Sequence, residues 1–436
     1  MKNLKSLFLC SLVVILSFVF SSGCQGKARS NRKVITFACP DSSTDAGVLA
    51  IKKALTRYQK MHPEIKLETR FIARDYLVQV LNMIASGDAP DIFRMAPDSL
   101  PVFLKKDALM PLDDFIAGSS TFKIDDYFEA TLWKYKYDGQ VIGKGKIHGF
   151  GTDWSPDRTM FFNEDLFLRS GIQAPDKSLG WQEFINISKK LTVKQGQMKS
   201  FGSVPIGFTT LLIQAGGKLY SDDGKKCLLD SPQSIEALRY LQECYLKHKI
   251  HPGSADLLDT GMDELFQSER LGMFFSGRYK ASTMQNTVGS KFKWSVAPTL
   301  HKEGRERVNE SYGPYGWVMS SKTKSPEETW KLYEYMVYGD GVKMLAAVGY
   351  NIPIRKSHAF SKLFLDNPNH PQKINKIFLD EVSFTVPSAI NINVDQSRIN
   401  KIMMDEMINL RDGNTTPEKA AQTMTKEINK LLLEGI

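Results

Sequence analysis

Cysteine, histidine and long apolar runs are all scarce in this chain, and each scarcity closes off a class of protein. Five cysteines in 436 residues cannot build the dense disulfide framework of a small secreted scaffold. Seven histidines leave one close pair, His248 and His251. Pro252 follows it and no carboxylate or cysteine nearby completes a ligand set, so the pair reads as loop, and no metal or other cofactor is expected. No phosphate-cradling glycine loop follows a strand, and no nucleophile elbow occurs. Low-complexity tracts and internal repeats are also missing, which argues against disorder and solenoids. Lys and Arg outnumber Asp and Glu by 57 to 48, for a formal charge of +9. The basic residues are scattered, however, without the basic block and interleaved aromatics of a nucleic-acid surface, so no nucleic-acid partner is expected. What is present is an ordinary globular composition, 42% apolar, 11% aromatic and 24% charged. The length exceeds what one core organises, which predicts two domains.

The N-terminus sets the compartment. Lys2 and Lys5 precede an apolar stretch, Leu7 to Phe20, of 14 residues. A spanning helix needs about 20, so a cleaved leader is expected in place of a permanent anchor. The ending Phe20-Ser21-Ser22-Gly23-Cys24 resembles a bacterial lipobox, with Ser21 where that pattern usually has Leu. The resemblance implies a signal peptide over 1–23, acylation of Cys24 and a polar tether over 24–33. The protein would then be held on the outer side of a bacterial membrane, or in the periplasm, by its lipid. Two or more acyl chains anchor stably where one binds marginally. The blander reading is an ordinary secretory signal with an incidental cysteine. Loss of Lys2 and Lys5 takes the charge from +9 to +7, which serves solubility or attraction to an anionic membrane surface. Cys39, Cys227 and Cys244 then remain, an odd set. Cys39 reads as core, and spacing does not decide a Cys227–Cys244 bridge.

Val34 to Cys39 is β-branched and apolar, a buried strand, and Pro40 to Asp45 is a turn that caps the next helix. Val48, Ile51, Leu55 and Tyr58 then recur at helical spacing, Ile65 to Ile72 reads as strand, a helix runs to Gly87, and Asp91 to Met95 is strand again. This alternation predicts a parallel sheet covered by helices. Ligands of such sheets bind at the carboxyl ends of the strands, which nominates the loops Pro40 to Ser43 and Ala96 to Ser99. Further along, Ser231-Pro232 and Thr416-Pro417 are helix starts, and Ser325-Pro326-Glu327-Glu328 has the pattern of a capping box. Leu271 to Phe275 and Trp317 to Ser320 read as short strands.

The order of several segments is similar to that of bacterial extracellular solute-binding proteins of the sugar-binding type, receptors of ABC importers related in fold to maltose-binding protein. The segments are VITFAC, HPEIKLE, SGDAPDIFRM with LKKDALMPLDDF, MFFNEDLF, GWQEFINISKKLT, QAGGKLYSDDGKKCLLDSP, FQSERLGMFFSGRYKA, WSVAPTL, GWVMSSKTKSPEETWKLYEYM and YNIPIRK. They cover almost the whole chain after the leader. The resemblance implies an α/β, two-lobed periplasmic-binding-protein fold, each lobe a mixed, mostly parallel sheet flanked by helices. It places crossings near Phe150 to Ser155, Trp294 to Pro298 and Val348 to Ile352. The lobes would be 34–152 with 295–350, and 153–294 with 351–436. It also implies a monomer that takes a mono- or oligosaccharide and delivers it to permease subunits of an ABC importer.

Candidate site residues follow from both lines. The stretch Gly149 to Phe167 places Asp153, Trp154, Ser155 and Asp157 beside Gly149, Gly151 and Pro156, a polar break that cannot be buried cheaply. A Trp154 face suits the apolar side of a sugar ring and Asp153 can accept hydroxyl hydrogen bonds. The plainer alternative is a packed hinge with a turn cap. Ser276-Gly277-Arg278-Tyr279 resembles the family's glycine followed two residues later by an aromatic, commonly Trp, which proposes Tyr279 as a stacking face and Arg278 as a donor. In SYGPYGWVMSS, Gly313 and Gly316 allow close approach, and alternation favours Tyr312 or Tyr315 over Trp317. Asp41, Asp98 and Gln214 complete the set as polar residues at strand ends or on a site helix. No catalytic residue is assigned. The rival class is an exported glycoside hydrolase using Asp153 and Asp157, whose carboxyl separation the sequence does not reveal; a surface sensor or adhesin is a third.

Overall fold

A computed structural model describes residues 32–435 apart from 43–44, 196–197, 258–259 and 368–371. The expected signal peptide, Cys24 and all but the end of the tether lie outside the described residues.

The β-branched opening run forms β1 (Lys33–Pro40), in which Ile35, Phe37, Ala38 and Cys39 are fully buried. Asp45 caps α1 (Ala46–Met61), its carboxylate accepting the Val48 N–H at 2.9 Å, and the helix buries Val48, Ile51, Leu55 and Tyr58 against the sheet. β2 (Ile65–Ile72) lies parallel to β1, with Lys33 opposite Ile65. After α2 (Tyr76–Ala85), β3 (Ile92–Met95) lies parallel on the other side. Two strands from later in the chain complete this sheet, β4 (Phe150–Gly151) and β12 (Gly316–Met319), in the order β2-β1-β3-β12-β4.

A second five-stranded sheet has the order β10 (Trp294–Ala297), β6 (Thr159–Asn163), β9 (Leu271–Ser276), β8 (Met198–Ser203) and β7 (Val193–Gln195). Along β6 the side chains alternate, Met160 and Phe162 entering one hydrophobic cluster and Phe161 another, as period-two geometry requires of a strand covered on both faces. Its flanking helices are α3 (Trp181–Leu191), α4 (Phe208–Gln214), α5 (Pro232–Gln242) and α6 (Tyr279–Val288).

Two small ladders lie at the crossings. β5 (Asp153–Trp154) pairs antiparallel with β13 (Ile352–Pro353), and β11 (Asn309–Ser311) pairs parallel with β14 (Thr385–Pro387). The molecule is thus two α/β lobes with several chain crossings between them. The sheets are mixed, but not mostly parallel: in the second only the β8–β9 pair is parallel. A parallel pair needs a crossover connection, whereas β10, β12 and β4 enter or leave through the crossings and meet their neighbours antiparallel. β10 hydrogen-bonds to β6, so the chain rejoins the first sheet only at β12.

α7 (Pro326–Val337) and α8 (Asp340–Val348) pack on the first sheet, α7 burying Trp330, Tyr333 and Val337. The Ser325 capping box does not form. The Ser325 hydroxyl makes no cap bond, its backbone N–H donates to Thr323 Oγ1 at 3.4 Å, and Glu328 turns outward to Lys33. The other two starts hold: the Ser231 hydroxyl accepts from Ser234 N–H and that of Thr416 from Lys419 N–H. α9 (Gln372–Glu381) contributes Ile374 and Phe378 to the cluster that holds Phe161. A strap then runs between the lobes, Ile390 and Ile392 packing in the first and Val394 in the second. α10 (Gln396–Arg411) and α11 (Pro417–Glu434) close on the second lobe, where Ile399, Leu410, Met424 and Ile428 meet Leu238 and Leu241.

Candidate functional site

The carboxyl ends of β1 and β3, the crossing strand β5, the start of α6 and the loop between β11 and β12 converge on a crevice of about 530 Å³ between the lobes. Asp41, Asp153, Trp154, Tyr279, Tyr312 and Tyr315 all line it. Tyr312 and Tyr315 are 50% and 52% exposed, and Tyr350, from the turn after α8, is 45% exposed. Large aromatic rings left in solvent on facing walls are informative where single exposed apolar residues are not. Tyr279 and Tyr350 stack at 6.4 Å between centroids with 24° between planes.

Cations stand behind two of these rings. The Arg94 guanidinium lies 5.5 Å from the Tyr315 ring and 5.6 Å from that of Trp317. Arg158 lies 4.7 Å from the Tyr312 ring and also hydrogen-bonds its hydroxyl. Such contacts fix the ring plane as well as adding about 0.5–1 kcal/mol at an exposed site. Arg158 is itself held by Thr210 Oγ1 at 3.0 Å and by the buried Glu310 at 3.4 Å, and Glu310 accepts from Thr209 and Thr210 at 2.8 Å each. Each partner of this ion pair therefore keeps further hydrogen bonds, the condition under which a buried pair is tolerated.

Asp157 lies below this wall. It accepts from the Tyr312 N–H at 2.7 Å and the Ser311 hydroxyl at 3.4 Å, and burial pushes its pKa up to about 6. Burial also raises Asp153, against the lowering effect of Arg94 and a hydrogen bond with Asn351. The Ser155 hydroxyl accepts the Arg278 N–H at 2.6 Å, which ties the first crossing to the loop that carries Tyr279. Asp41 accepts from Lys52 at 2.9 Å at the rim.

Three expected ligand contacts are corrected. Trp154 borders the crevice but is only 1% exposed, its ring packed on Phe128 at 5.4 Å between centroids, so it does not stand open as a stacking face. Gln214 is 1% exposed with both ends engaged: Oε1 accepts from Trp181 Nε1 at 2.8 Å, and Nε2 donates to the Leu300 and Val308 carbonyls at 2.7 and 3.0 Å. Arg278 is fully buried, its Nε donating to Asn375 Oδ1 at 2.8 Å and Nη1 to the Tyr350 carbonyl at 3.5 Å, and burial pushes its pKa down to about 10. Asp98 lines a neighbouring crevice and accepts from the buried Lys134 at 2.8 Å. Sequence reasoning missed Arg94, Arg158, Tyr350 and Asn351. Arg94 carried a signal, a lone cation inside the apolar strand DIFRM; the others depend on which loops the fold brings together.

Elsewhere, Cys39, Cys227 and Cys244 are free and buried. His251 is buried on Ser203, with a pKa pushed down to about 4 by burial, and His248 sits near Glu243 instead. Among the described residues no group of His, Cys, Asp and Glu is placed to hold a metal, and no helix is long and apolar enough to cross a membrane.

A sequence profile of the family described as bacterial extracellular solute-binding protein matches residues 41–337. A candidate binding protein of Brucella abortus is 22% identical over 326 residues, covering 73% of this chain and 74% of the relative. An ABC substrate-binding protein of Listeria monocytogenes, solved in complex with cycloalternan, superposes with a TM-score of 0.76 at 23% identity, over 92% of this chain and 99% of that one. The cyclic alpha-maltosyl-1,6-maltose binding protein of Arthrobacter globiformis superposes at 0.77 and 14% identity, over 93% and 100%.

Proposed function

Because the chain belongs to the bacterial extracellular solute-binding proteins, we propose that it captures a carbohydrate between its lobes and delivers it to the permease of an ABC importer, held at the membrane by a lipid on Cys24. The observation that carries this reading is the ring of Tyr279, Tyr312, Tyr315 and Tyr350 around a crevice that also presents Asp41, Asp153 and Arg94. Tyrosine rings cover the apolar faces of a sugar, and carboxylate and guanidinium groups take its hydroxyls through charge-assisted bonds. The structural neighbours named above, one solved in complex with cycloalternan and one named as a cyclic alpha-maltosyl-1,6-maltose binding protein, support the same class.

The crevice walls come from both lobes, so a ligand touching all of them binds the closed arrangement better than an open one and shifts the population toward it. Closure is the signal a permease would read. The lobe boundaries that go with this reading are 34–152 with 316–350, and 153–311 with 351–436, the loop 312–315 crossing between them; the change follows from the pairing of β10 with β6, from Leu300 in the second-lobe cluster and from the return of the chain to the first sheet at β12. Binding without turnover is the expected chemistry. The carboxyl pair of the hydrolase rival includes Asp157, which is already occupied by Tyr312 and Ser311.

A thermal-shift screen against mono- and oligosaccharides tests the proposal. A true ligand at 100 times its Kd should stabilise by about 2.7 kcal/mol. No shift with any sugar would count against the carbohydrate reading, and released product from a labelled oligosaccharide would count against a receptor.

A further inference from the structure

The tyrosine-ringed crevice is unevenly charged. Asp41, Asp45, Asp153 and Asp157 line it against a single cation, Arg94. Among the described residues only Asp41 of these carboxylates is in an ion pair, with Lys52 at 2.9 Å. Even with Lys52 counted, the walls carry a net of two negative charges at neutral pH. Asp157 is turned to the Tyr312 N–H and the Ser311 hydroxyl. Asp45, which caps α1 through the Val48 N–H, and Asp153, on the first crossing, are left facing the crevice without a cation of their own.

These two carboxylates act on one another and on one ring. Burial, and behind it Asp45, raise the pKa of Asp153, against the lowering effect of Arg94 and Asn351. Burial, and behind it Asp45 and Asp153, raise that of the Tyr350 hydroxyl. Like charges held together in a partly desolvated crevice repel, and a bound cation removes that cost. A further acceptor stands beside them: the Asn351 amide hydrogen-bonds Asp153, and its Oδ1 is buried with no partner. An ammonium group has three N–H donors. Asp45, Asp153 and Asn351 offer it three acceptors on one crevice. The rings fit the same charge. Arg158 and Arg94 already lie against Tyr312 and Tyr315, whereas among the described residues no cation lies over the stacked pair Tyr279 and Tyr350. A ring face attracts a cation the more strongly as water is excluded.

We infer that the carbohydrate is an amino sugar, its protonated amine held by Asp45, Asp153 and Asn351 beside the Tyr279 and Tyr350 rings. This inference rests on the carbohydrate reading. Carboxylates also accept the hydroxyls of a neutral sugar, but a neutral ligand leaves the two charges facing each other with less water between them once the lobes close. An N-acetylated sugar has the nitrogen without the charge, and the site selects against it.

The test is isothermal titration of the full chain in mild detergent with matched sugars: glucosamine, galactosamine and β-1,4-linked glucosamine oligomers, each beside its neutral hydroxyl parent and its N-acetyl derivative. In the series that binds best, the amino sugar should bind about tenfold or more tighter than either counterpart. Raising NaCl from about 20 to about 500 mM should weaken the amino sugar alone, because salt screens the attraction. Asp45→Asn keeps a cap for α1 and Asp153→Asn keeps the side-chain shape, so both variants should fold, and each should cut the preference for the amino sugar by about fivefold or more. A purely structural role for these residues would weaken amino and neutral sugars alike and leave the ratio where it was. An unchanged ratio in both variants, a preference indifferent to salt, or an amino sugar that binds no tighter than its counterparts overturns the inference and leaves the carbohydrate reading standing. Failure of every sugar, charged or neutral, sinks the carbohydrate reading and this inference with it.

Discussion

Trp154 and Tyr279 are both aromatic residues near the crossings, and their different burial assigns them different work. Trp154 is packed on Phe128 within the cluster that joins the lobes. Trp154→Ala should therefore cost about 3–5 kcal/mol of stability, read from urea unfolding. Tyr279 keeps its ring on the crevice beside Tyr350. Tyr279→Ala should raise the Kd for the sugar by about tenfold, given the ~0.5–1.5 kcal/mol of an aromatic contact beyond its burial, with little change in urea midpoint. Asp157 offers a pH test. Its folded pKa is raised from 3.8 to about 6, chiefly by burial, with Arg158 lowering it and Glu310 raising it. A raised carboxyl pKa means that the folded state holds a proton which the unfolded state has released between pH 4 and 6. Its contribution therefore favours the fold below about pH 4, and that benefit is lost as pH rises through 6. The full difference is of the order of 3 kcal/mol. Asp157→Asn, which keeps an acceptor for the Tyr312 N–H, should gain stability relative to the parent between pH 5 and 7, measured as the difference in melting temperature. A constant difference across that range would show that Asp157 does not titrate there.

At the level of elements, the loop between β9 and α6 is the tightest joint of the site. A Cβ on Gly277 would stand 2.4 Å from Asp157 Oδ1, 2.5 Å from the Tyr279 ring and 2.9 Å from Ser155 Oγ. Gly277→Ala must push the Tyr279 ring or the first crossing out of place, an overpacking cost of about 1–3 kcal/mol. Titration of this variant should show weakened sugar binding together with lowered stability, whereas Tyr279→Ala weakens binding alone. The same loop shows where the sequence was legible. Leu271 to Phe275 announces a buried strand by its apolar run, and Tyr279 is marked by the glycine two residues before it. The inward turn of Arg278 is not legible, because its partner Asn375 lies 97 residues away. Gln214 is similar: on a helix beside a cleft it reads as a ligand contact, yet the groups that occupy it come from Trp181, Leu300 and Val308. Local signals such as Pro at a helix start or period-two alternation are written in neighbouring residues. The destination of a polar side chain is settled by long-range contacts, which is also why Ser325 reads as a capping box and forms none.

Across the whole molecule, the crossings are hydrophobic and not merely linking. One continuous cluster contains Phe37 and Trp317 of the first sheet, Trp154 and Ile352 of the crossing ladder, and Phe161 and Phe274 of the second sheet. The strap adds a second tie: Lys134, 1% exposed, gives its ammonium protons to Asp98 and the Tyr312 carbonyl and to Ser388 at the start of the strap, at 2.7–2.8 Å. Unfolding one lobe would expose the shared cluster and strip these acceptors, so each lobe's stability includes contacts owned by the other. Two-lobed chains of this length often unfold in stages. Here a single calorimetric transition is expected, with calorimetric and van't Hoff enthalpies equal. Saturating sugar should move that transition upward as one peak, since the ligand binds a site that exists only while both lobes are folded. Two resolved transitions, with only one shifted by sugar, would mean that the cluster is a contact surface between independent lobes and that the shifted lobe holds the ligand by itself.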